Sequence, residues 1–354
     1  MKVFIGPKRW QLLLAVCCLI LMTGIGAAVH AKEVKQIVVS DPGGPYVKAY
    51  RDAFYDPFEK ATGIKVVSVA RASQPAAQFQ AMVETKNYIW DATILTLAQD
   101  VPLLEKRKLL EPMGLKPGDF PGIMKEAVKP DWLGMDVYAT VLAYRADKFG
   151  KNGPKTWADF WDVKKFPGRR ALRRNPIDTL EIALLADGVP PAKLYPLDYK
   201  RALRSLDRIK KHVAVWWTSG AQSTQLIQSG EVDMIAIWNG RAQAAIDGGA
   251  PVRILWNQGL YSLEGWGIPK GTPRAQAVKK FVRFCSDPKR QSVITEVLAY
   301  GPTNLKAYDH IPAKRASLLP TAPGNLKGMF MPNHGWWQQN RADAIERFNA
   351  WILK

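Results

Sequence analysis

Hydrophobic positions beyond residue 31 alternate between short β-branched runs and longer stretches with helical spacing. The run "QIVVS" is followed by the turn "DPGGP", after which Val47, Tyr50, Phe54 and Phe58 recur every three or four residues. A strand, a turn and a helix in this order are typical of a parallel βαβ unit. Further strands are predicted over 64–69 and 91–96, and further helices over 76–84 and 101–110.

The same alternation restarts after residue 140. A single hydrophobic core stops growing at roughly 250 to 300 residues, so a chain of 354 residues is expected to form two lobes. In open α/β sheets ligands bind beyond the carboxyl ends of the strands, and two facing sheets would therefore enclose a cleft. In the part of the chain after residue 140, the predicted strands are 169–174, 213–217, 232–238 and 251–256. The predicted helices there are 177–186, 199–211 and one from about Gly240.

The first 31 residues have the pattern of a cleaved secretory signal. Three basic residues precede an uncharged apolar run over 12–29, and "VHA" at 29–31 fits a small-residue cleavage site. An uncleaved membrane anchor is one alternative, because the run is nearly long enough to span a bilayer. Lipid attachment at Cys17 or Cys18 is another. The expected location of the exported protein is the periplasm.

The formal net charge of +19 is strongly basic, and removal of the signal lowers it by three. Basic residues cluster over 164–174 and 199–211, but no nucleic-acid-binding motif accompanies them. We therefore interpret the clusters as solvated faces, or as surfaces weakly attracted to an anionic membrane, and expect no nucleic-acid partner. Arg174 and Arg241 are likewise interpreted as surface charges.

The sequence offers little for catalysis. Beyond the signal the three histidines, at 212, 310 and 334, are far apart and lack a metal-ligand spacing. No nucleophile elbow, phosphate-binding loop or dinucleotide-binding motif is present. Cys285, the one cysteine beyond the signal, is predicted to be a core residue. We expect no enzyme, no cofactor and no metal, and keep a secreted hydrolase as a remote alternative.

An ordered set of segments resembles one family. "FYDPFEKATGIKV", "WDATILT", "TWADFWDVKKFPGRRAL", "SGEVDMIAIWNGRAQAA", "GWGIPKGTPRAQAVKKFVRFCSDPKRQ" and "YGPTN" occur in that order over nearly the whole chain beyond the signal. Together they resemble the periplasmic spermidine/putrescine-binding proteins, which belong to the family 1 extracellular solute-binding proteins of ABC importers. The resemblance implies a two-lobed α/β fold of the type II-like periplasmic-binding-protein class, with the ligand in the cleft between the lobes.

The resemblance also implies boundaries and binding positions. Residues 32–140 with 265–303 are expected to form lobe 1, and residues 141–264 with 304–354 lobe 2. A monomer would capture a small cationic or zwitterionic ligand by hinge closure and deliver it to the membrane subunits of an ABC permease. The positions that correspond to ligand contacts in the family are Ser40, Asp41, Gly44, Thr96, Gln99, Asn175, Asp178, Trp238, Ser262, Glu264, Tyr300 and Gln338.

The first ligand hypothesis is a polyamine such as putrescine or spermidine. A polyamine carries an ammonium at each end, so its site needs carboxylates at the ends and aromatic faces along the stem. Asp178 and Glu264 would pair with the ammoniums, and Trp238 and Tyr300 would flank the stem.

Four positions favour a second hypothesis, because they depart from what a polyamine site needs. Asn175 stands where the family has an acid and Ser262 where it has a ring, while Arg173 and Arg174 are adjacent in the chain. An arginine in the cleft would repel a dication and bind a carboxylate. The second hypothesis is a zwitterionic amino compound such as 4-aminobutyrate. Whether the two arginines enter the cleft is left open.

Overall fold

The structure is a computed structural model that describes Met1 and residues 34–71 and 75–354. Apart from Met1, the predicted signal, with the alternatives of a membrane or lipid anchor, lies outside the described residues. Within these ranges no helix combines the length and apolar character needed to cross a bilayer.

Residues 35–354 are built around one mixed sheet. Its strands lie in the order β2-β1-β3-β9-β5-β8-β6-β7, and β4 and β10 each pair with β5. The strands are β1 (Gln36–Asp41), β2 (Lys65–Ala70), β3 (Ala92–Thr96), β4 (Val128–Lys129), β5 (Trp132–Arg145), β6 (Arg170–Arg173), β7 (Val213–Trp217), β8 (Met234–Trp238), β9 (Val252–Gly267) and β10 (Gly301–Pro302).

Helices connect most of these strands. They are α1 (Pro45–Tyr50), α2 (Asp56–Thr62), α3 (Ala76–Thr85), α4 (Asp100–Lys106), α5 (Ala146–Phe149), α6 (Trp157–Trp161), α7 (Pro176–Ala186), α8 (Tyr199–Lys210), α9 (Gly220–Gln228), α10 (Asn239–Asp247), α11 (Ala275–Phe284), α12 (Pro288–Val297), α13 (Ala313–Ala316), α14 (Pro323–Leu326) and α15 (His334–Ile352). A π-helical segment, Arg51–Tyr55, joins α1 to α2. Short 3-10 segments lie at Pro117–Asp119, Lys125–Ala127, Gly150–Asn152, Pro191–Lys193 and Leu305–His310.

Two groups of parallel strands flank a long antiparallel pair. The strand β1 pairs in parallel with β2 and β3, and β6 pairs in parallel with β7 and β8. Between these groups run β5 and β9, which are 14 and 16 residues long and antiparallel to each other. The predicted α/β fold with two strand-helix units is confirmed. The expected lobe crossings at 140/141 and 264/265 fall inside β5 and β9.

The core is divided among clusters on the two sides of the long strands. Trp90 and Trp132 lie in one cluster, Trp157 and Trp337 in a second, and Trp217 in a third. All five side chains are almost completely buried. Burial of rings of this size is a large part of what stabilises such a fold.

The structure differs from the predicted elements in several places. The strand β5 was not predicted, because it is buried on both faces and therefore has no alternating pattern. The strand predicted over 251–256 continues to Gly267 as β9. The helix predicted over 177–186 is also irregular at its start, since Ile177 and Asp178 have non-helical backbone angles.

Candidate functional site

A cavity of about 560 Å³ lies at the carboxyl ends of strands from both parallel groups. Thr96 ends β3, Trp238 ends β8, and Arg173 ends β6, and each of these residues reaches the cavity. The residues that line it are Pro42, Tyr46, Arg71, Thr96, Gln99, Asp100, Tyr138, Arg173, Arg174, Asn175, Thr218, Ser219, Gly220, Trp238, Arg241, Glu264 and Tyr300.

The structure brings half of the sequence-predicted positions together. Those that line the cavity are Thr96, Gln99, Asn175, Trp238, Glu264 and Tyr300. Those that do not are Ser40, Asp41, Gly44, Asp178, Ser262 and Gln338.

Asp41 stabilises the turn after β1 from a fully buried position. Its carboxylate accepts hydrogen bonds from the backbone N–H of Gly43 at 2.8 Å, from the Tyr55 hydroxyl at 2.9 Å and from the Ser68 hydroxyl at 2.7 Å. These donors satisfy the charge inside the protein. Gln338 is also engaged elsewhere, because its amide donates to the carbonyl of Pro102 at 2.8 Å.

Glu264 is a buried carboxylate on the wall of the cavity, with 8% of its surface exposed. It accepts a hydrogen bond from the Tyr46 hydroxyl, and its Oε1 lies 3.9 Å from Arg71 Nη2. Burial raises the pKa of Glu264, while the charge of Arg71 and the Tyr46 hydrogen bond oppose that shift.

Asp136 lies opposite Glu264 in the β5–β9 register. Its Oδ2 accepts a hydrogen bond from the Tyr50 hydroxyl at 2.5 Å, and it is even more buried than Glu264. Burial, followed by the charge of Glu264, raises the pKa of Asp136 well above its usual range. Both carboxylates accept a tyrosine hydroxyl, but Arg71 also lowers the pKa of Glu264, so we expect the negative charge of this pair to lie on Glu264.

Arg173 contacts Asp178 and Trp238, two residues that the first hypothesis expects to bind a polyamine. Its Nη1 lies 3.5 Å from Asp178 Oδ2, and its guanidinium carbon lies 4.9 Å from the ring centroid of Trp238. Asp178 also accepts a hydrogen bond from the Thr140 hydroxyl at 2.9 Å. The backbone of Asp178 is left-handed, with φ of 70°, and these two contacts help to hold that strained conformation. Asp178 is therefore a partner of Arg173 beneath the cavity lining.

Four arginines line the cavity against two carboxylates, Asp100 and Glu264. Asp100 accepts hydrogen bonds from the backbone N–H and the hydroxyl of Thr96, at 3.0 and 2.9 Å. Arg71 and Arg173 face carboxylates as described above. In the described part of the chain, Arg174 and Arg241 form no ion pair with a carboxylate. Arg174 is exposed, as the interpretation of a surface charge predicts, and Arg241 is partly exposed, while both also line the cavity.

Aromatic rings form a continuous wall beside these charges. Ring centroids are 5.8 Å apart for Tyr46 and Tyr300, 6.0 Å for Tyr138 and Tyr300, and 6.4 Å for Tyr138 and Trp238. Gly240 allows Tyr300 to pack against the start of α10, because a Cβ there would lie 2.5 Å from Cε1 of that ring. The wall offers flat faces for a hydrocarbon stem or a cation.

Several lining residues were missed from the sequence. Arg71 directly follows β2, so the rule that strand ends carry ligand contacts could have identified it. Tyr138 lies in the unpredicted β5, and Tyr46 lies in the first turn of α1. In the described ranges, no group of three or more His, Cys, Asp or Glu residues is arranged to hold a metal ion.

Comparisons with known proteins show which proteins the chain is similar to. A family model described as "Bacterial extracellular solute-binding protein" matches residues 53–321. The gamma-aminobutyric acid-binding protein of Pseudomonas aeruginosa is 35% identical over 340 residues, which cover 93% of this chain and 94% of that protein. The spermidine/putrescine-binding periplasmic protein 1 of Haemophilus influenzae is 21% identical over 314 residues, covering 85% of this chain and 84% of that protein.

Two solved structures are similar over almost their whole length. The ABC transporter substrate-binding protein from Bradyrhizobium japonicum superposes with a TM-score of 0.83 at 38% identity, over 89% of this chain and 99% of that one. The Atu4243-GABA receptor superposes with a TM-score of 0.80 at 31% identity, over 90% of this chain and 97% of that one.

Proposed function

Since the chain belongs to the bacterial extracellular solute-binding protein family, we propose that it captures a small amino acid-type zwitterion for an ABC importer. The ligand carries at least one carboxylate and one ammonium, and lies in the cavity at the strand ends. The gamma-aminobutyric acid-binding relative supports this ligand class over a polyamine, whose binding proteins are less similar to this chain. The function involves no chemical step.

The observation that carries the proposal is the pairing of charges in the cavity. Glu264 and Asp178 are the acids that a polyamine would need, and both already face arginines, at 3.9 and 3.5 Å. A dication would have to compete with Arg71 and Arg173 while adding its own charges to a site that is rich in guanidinium groups. A zwitterion meets this competition at one end only, because its carboxylate can bind an arginine in bidentate geometry.

The other end of the zwitterion would meet Glu264 and the aromatic wall. Glu264 accepts a hydrogen bond from the Tyr46 hydroxyl, and the Tyr300 ring packs against the ring of Tyr46. A short hydrocarbon stem would lie between the ammonium and the carboxylate, against Tyr138 or Trp238.

Capture would proceed by hinge closure. We retain lobe 1 as residues 32–140 with 265–303 and lobe 2 as residues 141–264 with 304–354, with crossings inside β5 and near the end of β9. Closure would expel water, strengthen the ion pairs and form the surface that the permease recognises. We propose that the protein acts as a periplasmic monomer after loss of residues 1–31.

Isothermal titration calorimetry tests the ligand class. The chain without residues 1–31 is titrated with 4-aminobutyrate, L-glutamate, putrescine and spermidine. We expect binding by at least one of the two carboxylate-bearing compounds and no heat from either polyamine. Binding of a polyamine without either amino acid would overturn the proposal.

A matched pair of variants tests the site. Glu264→Gln removes the charge that would receive the ammonium, so the affinity should fall about 10- to 100-fold, as expected for the loss of a charged hydrogen-bond partner. Glu231→Gln makes the same change at an exposed position and should leave the affinity unchanged. Equal affinities of the two variants would remove Glu264 from the site.

A further inference from the structure

We infer that the ligand carries a second carboxylate, next to its ammonium, and that Arg241 binds it. This makes the ligand an amino dicarboxylate of the glutamate type, extended or substituted at one end, rather than a simple ω-amino acid. The inference rests on the proposed function and names the substrate class of the same site.

The first support is the number of arginines in the cavity that form no ion pair with a carboxylate of the described residues. Within the described residues, both Arg174 and Arg241 line the cavity and lack an ion-pair partner. One carboxylate would balance only one of these two charges. Ligands bind best where charges of opposite sign meet as water is expelled, so two such arginines favour two carboxylates.

The second support is the position of Arg241. A Cβ placed on Gly220 would lie 2.6 Å from Arg241 Nε and 3.1 Å from Cζ3 of Trp238, so the guanidinium rests on the backbone at the start of α9. Only a residue without a side chain at 220 leaves this space. The arginine is therefore held beside the edge of the Trp238 ring, while Arg173 lies over the face of that ring.

Arg241 is also close to the proposed ammonium position. It lies in the first turn of α10, next to Gly240, against which Tyr300 packs. Its charge acts on the pKa of both Glu264 and Tyr300, in each case lowering it against the larger effect of burial. A carboxylate on Arg241 would thus stand near an ammonium on Glu264. An α-amino acid group has this arrangement, because its carboxylate and ammonium share one carbon.

The third support is space. The cavity of about 560 Å³ is in the range of pockets that enclose drug-sized ligands, roughly 300 to 1,000 Å³. A four-carbon amino acid would leave much of this volume to water. A second carboxylate and a further substituent would use it.

L-glutamate and 4-aminobutyrate form a matched pair of probes, because they differ only in the carboxylate on the carbon that bears the ammonium. Calorimetry on the chain without residues 1–31 should give a Kd for L-glutamate at least about tenfold lower than for 4-aminobutyrate. An equal or tighter Kd for 4-aminobutyrate would overturn this inference and leave the proposed function intact. Binding of putrescine alone would overturn both.

Variants of Arg241 test the assignment to that residue. Arg241→Gln should reduce the affinity for L-glutamate more than that for 4-aminobutyrate, and Arg241→Lys should recover part of the difference because it keeps the charge. Arg204→Gln, on the exposed face of α8, is the control and should change neither affinity. Thermal denaturation shows whether each variant folds. An unchanged ratio of the two affinities in a folded Arg241→Gln protein would refute the role of Arg241.

Discussion

Glu181 is a buried acid behind the site, and its charge should make the stability of the protein depend on pH. The side chain is completely buried, and its Oε1 accepts hydrogen bonds from the Tyr195 hydroxyl and from Trp337 Nε1, both at 2.6 Å. Its Oε2 has no hydrogen-bond partner in the described part of the chain. Burial, followed by the charge of Asp178, raises the pKa of Glu181 to about 7 from the ordinary value of 4.5.

The sign and size of the effect follow from this shift. The folded protein binds the proton of Glu181 more tightly than the unfolded chain, so stability is lost as the pH rises from about 4.5 to about 7. One pKa unit corresponds to about 1.36 kcal/mol, so the shift is equivalent to about 3 kcal/mol of unfolding free energy. In Glu181→Gln the side chain cannot ionise, while its oxygen can still accept from Tyr195 and Trp337. The variant should therefore lose less stability over this pH range.

Urea denaturation at pH 4.5, 6 and 8 measures the difference. The quantity to compare between the variant and the native protein is the change in unfolding free energy per pH unit. This comparison removes any constant effect of the new amide group on the unfolding free energy. Glu346→Gln makes the same change at an exposed position of α15, the helix that carries Trp337, and should follow the native slope. A slope for Glu181→Gln equal to the native one would refute the reasoning.

Two further substitutions test how the scaffold of the site is held. Arg170 is buried and its guanidinium donates to the backbone carbonyls of four residues, so Arg170→Lys should lower the unfolding free energy by about 2 kcal/mol or more. Urea denaturation beside the exposed control Arg204→Lys checks this, and equal midpoints would contradict it. In Gly265→Ala the new Cβ would lie 2.1 Å from the carbonyl oxygen of Leu133, where β9 pairs with β5. The unfolding free energy is therefore expected to fall by about 1–3 kcal/mol. Thermal denaturation beside Gly324→Ala, whose Cβ meets no atom within 4 Å, is the measurement, and equal melting temperatures would refute the clash.

The sequence predicts elements whose pattern is local. The strand β8 ends at Trp238, as the run "VDMIAIW" indicates, because a short apolar strand is followed at once by a helix. The strand β5 has no comparable signal. It is buried on both faces and carries Asp136 in its interior, where the carboxylate accepts a hydrogen bond from Tyr50 in a distant segment. Such contacts cannot be derived from spacing within the strand.

The same limit applies to the predicted site. Thr96 and Trp238 line the cavity because a strand end fixes their position, and that end can be predicted. Asp41 and Asp178 also follow or adjoin strand ends, but internal donors occupy both carboxylates. Whether an acid faces a ligand or a neighbour depends on side chains from elsewhere in the fold, which a single sequence does not place.

Arg173 explains how a shared fold can serve ligands of opposite charge. In a polyamine site an exposed ring face and an unpaired acid attract an ammonium. Here the Arg173 guanidinium interacts with both groups. It lies 4.9 Å from the centroid of the Trp238 ring and 3.5 Å from the Asp178 carboxylate. The end of β6 then presents positive charge to the cavity. On the proposed function, the charge of the ligand is set by residues beside the positions that contact ligands in the family, so a match at those positions indicates the fold and leaves the charge of the ligand to their neighbours.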